Sequence, residues 1–76
     1  MEGYKITQII IPESGIQYEL GHNNVHEIRE TFKQVSNDSI RNIYVVEFKK
    51  GNQRSFVEIS ADIKGLVVYK EYSRNN

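Results

Sequence analysis

His22, His26 and Glu30 recur at four-residue spacing. On a continuous helix, two imidazoles and a carboxylate so placed share one face and could meet a single divalent cation. The order is not the H-E-x-x-H of zinc proteases, where the carboxylate stands between the histidines. Asn24 also competes, because as a helix N-cap it leaves His22 outside the first turn. Two ordinary surface histidines are therefore expected, with neither metal nor other cofactor.

Nucleophilic catalysis needs a hydroxyl beside a base that a third group orients. Ser14, Ser36, Ser39, Ser55, Ser60 and Ser73 all stand in turn, cap or strand settings, and none lies in a nucleophile elbow. Gly15, Gly21, Gly51 and Gly65 are isolated turn glycines rather than a phosphate-cradling loop. Glu27 and Glu30 read as solvated carboxylates rather than an acid–base dyad. A chain of 76 residues also has little room for a cleft. The expectation is a protein that is not an enzyme.

The most suggestive constellation is Lys49, Lys50, Arg54 and Phe56, joined by Tyr69, Lys70 and Tyr72 if the last strand lies alongside. Cations interleaved with aromatic rings on a sheet grip single-stranded nucleic acid, the cations meeting phosphates while rings stack on bases. Against this, Glu47, Glu58 and Glu71 sit among the cations and no RNP-like motif occurs. Charged residues at Lys49 and Arg54 also discourage edge-to-edge sheet aggregation.

Two binding readings follow. The leading one is a small regulatory or inhibitory protein-binding module, its partner surface centred on Phe56 with Lys49, Arg54, Glu47 and Tyr69. Its partner would be another protein or a second copy of the chain. The alternative is a single-stranded nucleic-acid binder using Lys49, Lys50, Arg54, Phe56, Lys70 and Tyr72. A structural subunit of a larger assembly is a third reading, marked by self-association.

Composition narrows the setting. Formal charge is zero, which disfavours a globally basic nucleic-acid surface. Residues 1–38 carry three Lys/Arg against six Asp/Glu, and residues 39–76 carry seven against four. In a compact domain such halves interleave and the charges mix. Cysteine is absent, which excludes disulfides and Cys-based zinc sites and suits a reducing compartment. No basic start leads into an apolar run, and the apolar runs, Ile9-Ile10-Ile11 among them, are far short of the roughly 20 residues that cross a bilayer. A cytoplasmic protein without membrane contact is expected. The Ile, Asn, Lys and Tyr bias is that of AT-rich coding sequence, consistent with an accessory protein of a mobile element or phage.

No repeat, low-complexity tract or linker divides the chain, so residues 1–76 are expected to serve one core. Residues 4–11 are β-branched and aromatic, Pro12-Glu13-Ser14-Gly15 is turn chemistry, and Ile16 to Leu20 alternates at period 2. These predict an N-terminal hairpin whose first strand is covered on both faces. Asn24 and Glu27 resemble a capping box, and Val25, Ile28, Phe32 and Val35 make one apolar stripe at helical spacing. A helix is predicted from Val25 to Val35, ended by Ser36-Asn37-Asp38-Ser39.

Gly51-Asn52 suits a two-residue turn between strands 43–50 and 54–60. That turn sets Lys50 opposite Gln53, Lys49 opposite Arg54, Phe48 opposite Ser55, Glu47 opposite Phe56 and Val46 opposite Val57. Tyr44, Val46, Phe48, Val57 and Ile59 then share a core face, leaving Phe56 among charges on the reverse. Residues 60–65 connect to a last strand at 66–72, and residues 73–76 read as a frayed tail. The expected fold is α+β, a small antiparallel sheet in ββαβββ order with one helix across one face.

Overall fold

The computed structural model describes residues 2–74. Its six strands are β1 (Glu2–Ile11), β2 (Ile16–Glu19), β3 (Val25–Ser36), β4 (Ser39–Lys50), β5 (Gln53–Ser60) and β6 (Val67–Arg74). They form two three-stranded antiparallel sheets, ordered β2-β1-β6 and β3-β4-β5. The described residues contain no helix. The fold is all-β, and the expected α+β arrangement in ββαβββ order is corrected.

The segment read as a helix is β3, and its bulges explain the misleading spacing. Between Val25 and Glu27 the strand advances two residues while β4 advances one, from Phe48 to Glu47. The extra residue, His26, restores Ile28 to the same face as Val25, so two buried side chains three positions apart belong to one strand face. A second bulge, between Gln34 and Ser36, absorbs Val35. The first bulge thus gives the three-residue step from Val25 to Ile28, ordinary strand alternation carries Ile28 to Phe32, and Val35 sits in the second bulge. Asn24 is not an N-cap either. Asn23 and Asn24 take φ of 53° and 67°, and the Val25 amide donates to the His22 carbonyl at 3.0 Å. Two central residues of positive φ are the requirement of a type I′ turn, which asparagine tolerates well.

The same device operates in β1. Ile6 pairs with Lys70 and Gln8 with Tyr69, leaving Thr7 as the extra residue. Ile6 and Ile9 therefore point to one side, and both are buried. The Thr7 hydroxyl donates to the Tyr69 carbonyl at 3.3 Å, tying the bulge to β6.

The two sheets share one core. Ile6 and Ile9 from the first meet Val25, Ile28, Tyr44, Val46 and Ile59 from the second, with Tyr18, Leu20, Phe48, Val57 and Val68 around them. β1 and β4 are the central strands, which explains their apolar runs. Their outward side chains are covered by neighbours rather than by another layer: Ile10 and Val45 are half-buried and Ile43 is buried. β1 is therefore not sandwiched between two packed layers as its triple isoleucine suggests.

The β4–β5 hairpin has the register its sequence predicts, from Lys50 opposite Gln53 to Val46 opposite Val57. Gly51 takes φ of 60° at the first central position, where a type II′ turn needs it. Residues 61–66 turn twice, and Gly65, at φ 77°, lies so close to β1's end that an added Cβ would stand 3.3 Å from Pro12 Cγ. Ser73 and Arg74 belong to β6, while Asn75 and Asn76 of the predicted tail lie outside the described residues. Among the described residues, no helix is long and apolar enough to cross a membrane.

Candidate protein-binding surface

The residues singled out around Phe56 divide between the two sheets. Glu47, Lys49, Arg54 and Phe56 do share the outer face of β4–β5. Phe56 is 55% exposed and stands directly opposite Glu47, which is only 6% exposed. Glu47 is covered because β4 is central: Glu27 flanks it on β3, and Arg54 Nε lies 3.7 Å from its Oε2. Glu27 in turn lies 3.5 Å from Arg29 Nε. Farther along, Lys33 Nζ reaches across β4 to Glu58 Oε1 at 3.0 Å. This face is a lattice of opposite charges with one ring set into it.

Tyr69 is not part of that face. It pairs with Gln8 in the other sheet, because β6 adds to β1 and not to β5. The nucleic-acid grouping separates in the same way, with Lys49, Lys50, Arg54 and Phe56 on one sheet and Lys70 and Tyr72 on the other. Lys70 is engaged locally: its Nζ lies 4.6 Å above the Tyr4 ring and 4.0 Å from Glu30 Oε1. A continuous basic and aromatic face from these six residues does not form.

The other sequence candidates also take separate positions. His22 pairs with Glu19 at 3.6 Å, His26 occupies a bulge, and Glu30 accepts a hydrogen bond from the Tyr4 hydroxyl at 2.9 Å. Among the described residues, no group of three or more His, Asp or Glu could hold a metal ion. The Ser14 and Ser60 hydroxyl oxygens accept from the amides of Ile16 and Asp62, as turn residues do.

An unpartnered surface lies on β3, in the segment predicted as a helix, and Phe32 and Val35, expected on its packed apolar stripe, are exposed there instead. β4 outruns β5: the pairing of β4 with β5 ends at Ile43 opposite Ser60, and beyond it β3 and β4 continue as a two-stranded arm with its turn at Asn37-Asp38. Every residue from 31 to 42 is exposed. Strand alternation carries Ile28, Glu30 and Phe32 along one side, and the register adds Ile40, opposite Gln34. Phe32 is 67% exposed and Ile40 66%. At the base of that side, Tyr4 bonds Glu30, and Tyr72 lies 5.8 Å from the Tyr4 ring, itself 74% exposed.

Beside this arm runs a free strand edge. β3 ends its sheet, and among the described residues no strand pairs with its outer edge. A hollow of about 720 Å³ follows the edge, between Tyr4 and Ile6 of β1, Leu20, and His26, Ile28 and Glu30 of β3. Two phenols near this seam ionise above their ordinary value of 10.0. Tyr4 does so because its hydroxyl donates to Glu30 and faces that charge, and Tyr44 because of burial and then Glu30. Both phenols are thus favoured in their neutral form, Tyr4 as the donor to Glu30.

The signal for this surface was present in the sequence as Thr31, Phe32, Val35 and Ile40, all β-formers, but the helical spacing concealed it. The chain matches no protein-family model, no curated protein and no solved structure.

Proposed function

We propose that the protein is a non-enzymatic protein-binding module, regulatory or inhibitory, that docks a partner along the free edge of β3 and the apolar side of the β3–β4 arm. The reading rests on Phe32 and Ile40, two large side chains each about two-thirds exposed on one side of an arm that no other described element covers. Such side chains cost nothing to leave in place yet gain free energy when a partner removes them from water, about 25 cal/mol per Å². An unpaired strand edge beside them supplies backbone donors and acceptors for an added strand. Lack of cysteine suits work in a reducing cytoplasm.

The test is capture of partners by the tagged protein from nuclease-treated lysate, comparing wild type with Phe32→Ala and Phe56→Ala. Protein capture that resists nuclease and is lost with Phe32→Ala is the expected result. Loss with Phe56→Ala alone would move the surface to the outer face of β4–β5. Capture that depends on nucleic acid would overturn the reading in favour of the basic hairpin end at Lys49, Lys50 and Arg54.

A further inference from the structure

The free edge of β3 is complementary to itself. Resting on the protein-binding reading above, we propose that its partner is a second copy of this chain, joined antiparallel through β3 about a two-fold axis at Glu30. A two-fold axis perpendicular to a sheet sets residue i of one strand opposite residue j of the other with i + j constant, so only a few registers need comparing. With Glu30 on the axis, Glu27 stands opposite Lys33 of the second copy, Lys33 opposite Glu27, Arg29 opposite Thr31, and Phe32 opposite Ile28. Moving the axis by one residue in either direction sets Arg29 against Arg29 or against Lys33, and like charges directly opposite are destabilising.

Shape selects the same register. Ile28 lines the hollow beside the β3 edge together with Tyr4, Ile6 and Leu20. Placing Phe32 of one copy opposite Ile28 of the other brings an exposed ring to the Ile6, Leu20 and Ile28 part of a hollow whose rim is otherwise polar, with Lys5, His26 and Glu30, and the symmetry does so twice. The segment used, residues 27–33, lies between the two bulges of β3 and is regular throughout, as a new ladder requires. The result is a six-stranded sheet in the order β5-β4-β3-β3-β4-β5. One like-charged pair remains, Glu30 with its copy on the axis. In each chain the Tyr4 hydroxyl and the Lys70 ammonium already face that carboxylate.

Sedimentation equilibrium over about 1 µM to about 1 mM reads the association directly. Wild type is expected to dimerise. Glu27→Lys and Lys33→Glu each set like charges together at both ends of the interface, and each alone should weaken the dimer roughly tenfold or more. Mixing the two variants restores both opposite-charge pairs, so a heterodimer forms where neither variant dimerises alone; a misfolded variant could not give that result. A wild-type chain that stays monomeric throughout, or a mixture that forms no heterodimer, overturns the proposal. If that happens while Phe32-dependent capture of another protein persists, the binding-module reading stands and only the identity of the partner is lost.

Discussion

The base and the tip of the β3–β4 hairpin are made from the same two strands, and they differ in what lies over them. At the base, Val25 and Ile28 of β3 and Tyr44 and Val46 of β4 are buried against Ile6 and Ile9, and β5 pairs along the outer side of β4. At the tip, from Thr31 to Asn42, the same ladder continues without β5 and without an opposing sheet, and every residue is exposed. Phe32 lies on the same side of β3 as Ile28, four residues on, yet one is open to water and the other is core. Residue type did not assign these roles. The length of β5 and of the opposing sheet did, because a side chain is core only where another layer reaches it. The base is thus held by packing and the tip by backbone hydrogen bonds and turn geometry, which leaves the tip's apolar groups available for contact.

Substitution tests this contrast most severely at the base. Ile28→Ala should destabilise the fold by about 2–5 kcal/mol, read as a lower urea midpoint with an unchanged slope, since the cavity opens where both sheets meet. A loss well under this range would mean that the base is packed as loosely as the tip.

A smaller effect is expected at the seam between the regions, where Tyr4 and Tyr44 ionise above 10.0 in the folded protein. For a phenol raised on folding, the neutral form is favoured in the native state. That contribution is complete below the unfolded value of 10.0 and is lost as pH climbs through the raised folded values. Urea midpoints should therefore fall at alkaline pH, and the fall should be shallower in a Tyr4→Phe, Tyr44→Phe double variant. An equal fall in both proteins would place the alkaline sensitivity elsewhere.

The smallest effect belongs to the tip. Phe32→Ala should change stability by no more than about 0.5 kcal/mol, although it removes a large aromatic side chain. A larger loss in monomeric protein would show that Phe32 packs within its own chain, and would remove the comparison.

Two hairpins of this architecture were legible in the residues, while the fold class was not. The β4–β5 hairpin could be read to single-residue register because Gly51-Asn52 fixes the turn and alternation on both sides agrees with it. The N-terminal hairpin was readable for the same reason, from Pro12 to Gly15. β3 was not, because the bulge at His26 turns strand alternation into a three-residue step from Val25 to Ile28, and Asn24 with Glu27 imitates a cap. Propensity was the dissenting signal: Val25, Ile28, Thr31, Phe32 and Val35 are β-branched or aromatic. Of the candidate surface, Phe56 was correctly separated from the core face by alternation, and it is exposed. Its grouping with Tyr69 failed because strand order across a sheet is a long-range property, and no local pattern states that β6 returns to β1.

The turn at Asn37-Asp38 lies at the far end of an arm whose residues touch no core, in a chain that has no cysteine of its own. A single thiol introduced there would be the only one in the molecule, free to carry a fluorophore or spin label without disturbing the packed interior. The arm is then a natural ruler, with its probe at one end and the shared core at the other.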